Sequence, residues 1–159
     1  MPLEIRPAEP TDIPIVLELI RGLAEYEHLL HECEATEDRL RASLFPVGGK
    51  AAAECVLGIE DGSAVGFAVF FTNYSTFLAK PGLYLEDIFV RPERRHRGIG
   101  RALLLHVIGI AARRGCGRME WTVLDWNEPA LKFYDSIGAK RLPDWRICRM
   151  TEKDLARYA

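Results

Sequence analysis

The sequence predicts an α/β fold with a mixed sheet, held in one domain over residues 1–159. Two observations carry that reading. Residues 53–90 read as short apolar strands parted by turn residues, with no helical stretch between them, which gives an antiparallel meander and excludes a doubly wound sheet. A strand at 83–90, a helix at 98–114 and a strand at 118–124 then form a crossover, which requires at least one parallel pair.

Residues 3–7 read as a short strand. Thr11 or Asp12 can cap a helix with Pro14 in its first turn. Ile13, Val16, Leu17, Ile20, Leu23 and Ala24 follow the 3–4 spacing of one buried stripe, so this helix is expected to reach about Leu30. A second, shorter helix fits residues 36–45, with Leu40, Leu44 and Phe45 inward, until Pro46-Val47-Gly48-Gly49 ends it. Strands at 53–60 and 63–73 flank Asp61-Gly62, a strong two-residue hairpin signal. Pro81-Gly82 opens the strand at 83–90, and Arg91-Pro92 closes it. Ile99, Ala102, Leu103, Val107, Ile110 and Ala111 give the next helix its apolar face, and Gly115-Cys116-Gly117 stops it. Asn127 caps a further helix with Pro129 in its first turn and Ala130, Leu131, Phe133, Tyr134 and Ile137 on its apolar side; Gly138 ends it. A last strand is expected at 146–150.

Composition removes several functions. With 159 residues, 48% of them hydrophobic and 28% charged, the chain is ordinary globular protein. Its longest apolar stretches, 64–71 and 107–112, fall short of the ~18 residues of a membrane span. The first six residues show no basic region followed by an apolar run, so no signal peptide and a cytoplasmic location are expected. Cys33, Cys55, Cys116 and Cys148 fit neither a zinc site nor a disulfide scaffold and read as reduced thiols. His28 and His31 are three apart, but no third ligand stands at helical spacing, so no metal is expected.

Charge is distributed unevenly. The net charge of −2 sums a balance of −9 over residues 1–90 and +7 over residues 91–159. Residues 18–38 hold seven acidic side chains against Arg21, and residues 91–118 hold eight arginines against Glu93. Such a chain can attract a cationic and an anionic ligand at once; two solvated helix faces would look the same. Nucleic acid is not the expected anion, because the arginines coincide with a glycine-bearing loop better suited to phosphate.

That loop is Arg95-His96-Arg97-Gly98-Ile99-Gly100, after a strand and opening a helix. Its glycines let backbone N–H groups approach an anion, and the helix N-terminus adds partial positive charge. A Walker loop would need G-K-[ST], where Arg101-Ala102 stands. A dinucleotide fingerprint would need a third glycine, where Leu103 stands. The pattern that remains, R-x-x-G-x-G, resembles the coenzyme A pyrophosphate loop of the Gcn5-related N-acetyltransferases (GNAT). The chain is also similar, over almost its whole length, to the diamine (spermidine/spermine) N1-acetyltransferase and thialysine acetyltransferase branch. The likeness lies in Ile5-Arg6-Pro7-Ala8, Leu23-Ala24-Glu25-Tyr26-Glu27, Val65-Gly66-Phe67-Ala68, Tyr84-Leu85-Glu86-Asp87-Ile88-Phe89-Val90, Trp126-Asn127-Glu128-Pro129-Ala130, Phe133-Tyr134 and Gly138-Ala139.

The resemblance implies a mostly antiparallel sheet with helices on both faces and a splayed parallel strand pair. It implies acetyl-CoA as cosubstrate and a primary amine of a small cationic acceptor, with a homodimer as the assembly. Acetyltransfer to a protein N-terminus or lysine, or a non-catalytic CoA-binding module, are the competing readings. His96, Arg97, Gly98, Ile99, Gly100 and Arg101 would hold the pyrophosphate, with Arg95 flanking it. Ile88, Phe89 and Val90 would carry the pantetheine arm along their strand, and Asn127, Glu128, Pro129 and Ala130 form the second CoA-contacting stretch. Tyr26, Glu27, Glu86 and Asp87 would line the amine site.

An alkyl amine is mostly protonated at neutral pH, so a base must take its proton before attack. The resemblance gives that role to Glu86, which would otherwise be an edge-strand carboxylate in solvent. Strand alternation puts Glu86 and Ile88 on one face, Asp87 and Phe89 on the other. Tyr134 would protonate the leaving thiolate, its phenol being matched in acidity to an alkyl thiol; otherwise it is a core tyrosine beside Phe133. After Gly138-Ala139 the family's acidic residues are replaced by Lys140-Arg141-Leu142-Pro143-Asp144, leaving only Asp144. That departure leaves room for a diamine, or for a lysine-like amino acid whose carboxylate pairs with Lys140 or Arg141.

Overall fold

A computed structural model describes residues 2–159. By its internal packing the chain divides into two units, one ending at Thr122 and one spanning Val123 to Ala159.

The first unit is a five-stranded sheet in the order β1-β2-β3-β4-β5. The strands are β1 (Glu4–Pro7), β2 (Glu54–Glu60), β3 (Ser63–Ser75), β4 (Lys80–Val90) and β5 (Met119–Glu120). The first four pair antiparallel, and β4 pairs with β5 in parallel. Helices α1 (Ile13–Tyr26), α2 (Glu37–Leu44) and α3 (Ile99–Arg113) complete the unit.

The faces of the sheet are set by the packing. Ile13, Val16 and Leu19 of α1 and Leu44 of α2 share one core with Leu57, Phe67 and Phe89. On the other face, a Cβ added to Gly66 would meet Leu103 of α3 at 3.1 Å, so the sheet lies between α1 and α3. Leu103, Leu104 and Val107 are fully buried. Each such side chain contributes roughly 1.5–3 kcal/mol through burial. Among the described residues, no helix is long and apolar enough to cross a membrane.

Several boundaries differ from the sequence reading. Asp12 stands at the start of α1, yet its carboxylate makes no cap bond to the helix. It accepts instead two bonds from Arg6, at 2.8 and 3.0 Å, and one from the Glu9 N–H. Helix α1 stops at Tyr26, four residues before the expected end: His28 takes a left-handed conformation (φ 61°), and the Leu29 N–H turns back to Ala24 O at 2.8 Å. Strands β3 and β4 run past the expected breaks, pairing Tyr74 with Pro81 and Ser75 with Lys80. Pro81-Gly82 is therefore inside a strand, where Asn73 and the Arg118 carbonyl crowd the space a Cβ at Gly82 would need.

Two strand expectations fail. Only Met119–Glu120 of the stretch 118–124 joins the sheet, against Leu83 and Tyr84. Beyond Tyr84 no strand among the described residues pairs with that side of β4, so the parallel pair is splayed. Residues 146–150 form no strand; all five are exposed, including Ile147 at 68%. No strand forms within the second unit for them to pair with, and an isolated strand buries too little to persist.

The second unit holds α4 (Glu128–Ser136) and the single-turn α5 (Glu152–Leu155). Asn127 caps α4 as expected, accepting from the Ala130 N–H at 3.4 Å.

Candidate functional site

Two groups of residues in the first unit meet at the end of β4. One is basic and lies in the connection to α3. Residues 92–94 form a single 3₁₀ turn, His96 and Gly98 take left-handed conformations (φ 61° and 80°), and α3 starts at Ile99. No side chain caps α3, so its first N–H groups are open to an anion. Nothing lies within 4 Å of the Cβ that Gly98 lacks, and Gly100 would meet only Val90 Cγ2, at 3.6 Å. Uncrowded glycines beside open helix N–H groups are the features that suit an anion such as a diphosphate.

The arginines of this loop are not interchangeable. Arg91 donates to Ala64 O at 2.9 Å and pairs with Glu18 at 2.7 Å. Arg94 and Arg97 both reach Glu60, at 2.9 and 3.2 Å. Glu60 is only 8% exposed, so a near-buried carboxylate at the end of β2 anchors two arms of the loop. Arg101 and His96 are exposed, and Arg97 keeps half of its side-chain surface in solvent. Arg95 donates from Nε to Val90 O at 3.0 Å, and its guanidinium lies 4.4 Å from the centre of the Tyr26 ring and 5.4 Å from that of Phe89.

The second group is acidic. Val69 pairs with Asp87 and Phe70 with Leu85, so Glu86 is an extra residue in β4, a bulge. The bulge interrupts the alternation at Glu86, while Asp87 and Phe89 keep the face opposite Ile88, as alternation assigns them. Ile88, paired with Ala68, shares the α3 face with Leu85, paired with Phe70, while Asp87 and Phe89 turn toward α1. Asp87 is half-buried, and its carboxyl is pushed up from 3.8 to about 6, first by burial, then by the charges of Glu86 and Glu27. Burial also raises Glu27, the residue directly after α1. Glu86 is exposed. Among the described residues no ion pair or hydrogen bond from a cation reaches Glu27, Glu86 or Asp87. Three carboxylates in one field without a counter-charge favour a cation supplied from outside.

Ile88 and Val90 are partly exposed and Phe89 is buried; all three lie where β4 has lost its neighbour β5. An unpaired strand edge of this kind can take an extended polar chain through its backbone groups.

The remaining sequence candidates lie in the second unit. Asn127 is 9% exposed, and Glu128, Pro129 and Ala130 form the first turn of α4. Tyr134 is half-buried in the same helix, its ring 5.6 Å from that of Phe133. Arg141 pairs with Asp135, while Lys140 is exposed. Among the described residues, no three His, Cys, Asp or Glu side chains group to hold a metal ion.

The sequence reading missed Glu60, which it took for the end of a hairpin strand. Its signal is a carboxylate in an otherwise apolar strand, but its partners lie 34 and 37 residues later, and only the fold brings them together.

Comparison with known proteins agrees with this geometry. The chain is 36% identical to the L-ornithine N5-acetyltransferase of Arabidopsis thaliana, covering 92% of this chain and 83% of that protein. It is 36% identical to the thialysine N-epsilon-acetyltransferase of Bos taurus, covering 88% and 85%. An integron cassette protein from the mobile metagenome of V. cholerae superposes with a TM-score of 0.81 at 25% identity, over 99% of this chain and 98% of that one. Residues 20–139 match the acetyltransferase (GNAT) family. The open anion cradle before α3, the splayed edge of β4 and these relatives together establish that the chain belongs to the GNAT family and is an acetyl-CoA-dependent N-acetyltransferase.

Proposed function

We propose that the acceptor is a small cationic amine, either a diamine or polyamine or a lysine-like or ornithine-like amino acid. The observation that carries this reading is the trio Glu27, Glu86 and Asp87, which no cation among the described residues neutralises. The names of the relatives, an ornithine and a thialysine acetyltransferase, point the same way. Turnover takes place within a single domain of residues 1–159.

In this reading Glu27 and Asp87 hold the ammonium group, with Tyr26 beside them. Glu86 takes the proton, directly or through one water, and the freed nitrogen attacks the thioester carbonyl of acetyl-CoA. The C–N bond forms, the C–S bond breaks, the thiolate leaves with a proton from Tyr134, and the second proton that the nitrogen sheds as the amide forms restores the phenol. Backbone groups of Ile88 and Val90 would bind the pantetheine arm and polarise the carbonyl. The pyrophosphate would sit on the backbone of residues 96–101, with Asn127, Glu128, Pro129 and Ala130 as the second contact stretch. The proposed roles of Tyr134 and of the Asn127–Ala130 stretch rest on the resemblance alone.

Acetylation assays with ornithine, lysine, thialysine, putrescine, spermidine and basic peptides test the reading. Turnover of the small amines, with KM raised in Glu27→Gln, supports it. Turnover of peptides alone overturns the acceptor class. Tyr134→Phe is expected to lower kcat by roughly 10²-fold or more; an unchanged kcat removes the phenol from its role.

A further inference from the structure

We propose that Arg95 is a positioning residue for the acceptor amine and not a phosphate ligand: stacked on Tyr26 and Phe89, it fixes the end of α1 against β4 and so sets Glu27 opposite Asp87. The proposal rests on the reading of Glu27, Glu86 and Asp87 as the amine-binding group.

Arg95 opens the R-x-x-G-x-G loop, where a phosphate contact is the natural expectation. Its partners in the structure are different. The Nε–H is used by Val90 O at 3.0 Å, which directs the guanidinium along the end of β4. The plane then meets Tyr26 at 4.4 Å and Phe89 at 5.4 Å from the ring centres. Phe89 belongs to the core that packs α1 on the sheet, and Tyr26 is the last residue of α1. One side chain therefore ties the final turn of α1 to the sheet.

That turn carries a functional residue at its end. Glu27 comes directly after Tyr26, and the chain reverses at His28. The charge of Glu27 acts on the Asp87 carboxyl, after burial and the charge of Glu86. A shift of the α1 terminus would change their separation directly. Arg95 also makes no ion pair: among the described residues no carboxylate lies within ion-pair distance of it, and its partners are Val90 O and two aromatic rings. The aromatic faces hold its charge, and the carboxylates stay available to the substrate. Lysine cannot take this place, because it has neither the planar face nor an Nε–H fixed in that plane.

Steady-state kinetics against each substrate, with calorimetry of CoA binding, distinguish the two roles. Arg95→Lys and Arg95→Met are expected to raise KM for the amine about tenfold while CoA affinity stays within about twofold. Tyr26→Leu, which removes the ring under the guanidinium, should act in the same direction. The double variant Arg95→Met/Tyr26→Leu should be no worse than the worse single variant, since both remove one contact. A fall in CoA affinity that matches or exceeds the change in amine KM would overturn the proposal, as would multiplicative single effects. Glu27→Gln separates the two levels. If it leaves amine KM unchanged, the acceptor site itself is misplaced. If it raises amine KM while Arg95→Lys does not, only the role of Arg95 fails. Should Arg95→Met not fold, Arg95→Lys and Tyr26→Leu make the same comparison.

Discussion

Replacing Asp87 by Asn is expected to make the protein more stable above pH 6 and poorer at using its amine. The native carboxyl is pushed from 3.8 to about 6. Each unit is worth about 1.4 kcal/mol, so the full displacement corresponds to about 3 kcal/mol against the charged form. Asp87 is half-buried, and solvent screening reduces this to roughly 1–2 kcal/mol. The sign is fixed by proton binding. Between about pH 4 and 6 the native state holds more of this proton than the unfolded chain does. Stability is therefore fullest below the unfolded value, falls as pH rises toward about 6, and is level above it. Asparagine carries no charge and escapes the penalty. Thermal melts of both proteins from pH 4 to 8 should coincide at the acid end and separate by roughly 2–8 °C at pH 7.5. Parallel melting curves at every pH, or a less stable variant at pH 7.5, would refute the reasoning. In the same variant kcat/KM for the amine should lose its acid limb near 6.

Glu60→Gln removes the charge that Arg94 and Arg97 share, so the loop loses its anchor; CoA affinity measured by calorimetry should fall roughly 3–10-fold, with a lower Tm. An unaltered affinity would leave Glu60 a structural residue only. Gly66→Ala places a methyl 2.7 Å from the Phe89 carbonyl oxygen and 3.1 Å from Leu103, and backbone must move to admit it. The expected loss is about 1–3 kcal/mol in urea unfolding, and a variant as stable as wild type would show that β3 and β4 part there at no cost.

Much of the active region is local and therefore legible in the sequence. The cap at Asn127, the Asp61-Gly62 turn and the glycines of the loop before α3 state their conformations through their own side chains or lack of them. Gly98, read from the sequence only as opening the backbone to an anion, takes a left-handed conformation at the start of α3. The misread boundaries are those where a neighbour decides. Pro81-Gly82 signals a break on its own, but Tyr74 and Asn73 hold it in register with β3. Leu29 carries no stop signal, yet the reversal at His28 ends α1 before it. The stretch at 146–150 has the composition of a strand and no strand in its own unit to join.

The sequence by itself determined the fold class, the glycine-bearing loop at the head of α3 and the family, because periodicity, glycine placement and cap residues act over a few neighbouring positions. Only the tertiary structure decided how the charges are used. Packing puts the face that Asp87 shares with Phe89 toward α1, where the charge of Glu27 acts on it. The fold also brings Glu60 to two arginines and leaves Arg95 on aromatic rings. Electrostatic and stacking energies depend on distance and burial, and for residues 27, 60, 87 and 95 those are set by chain segments dozens of positions apart.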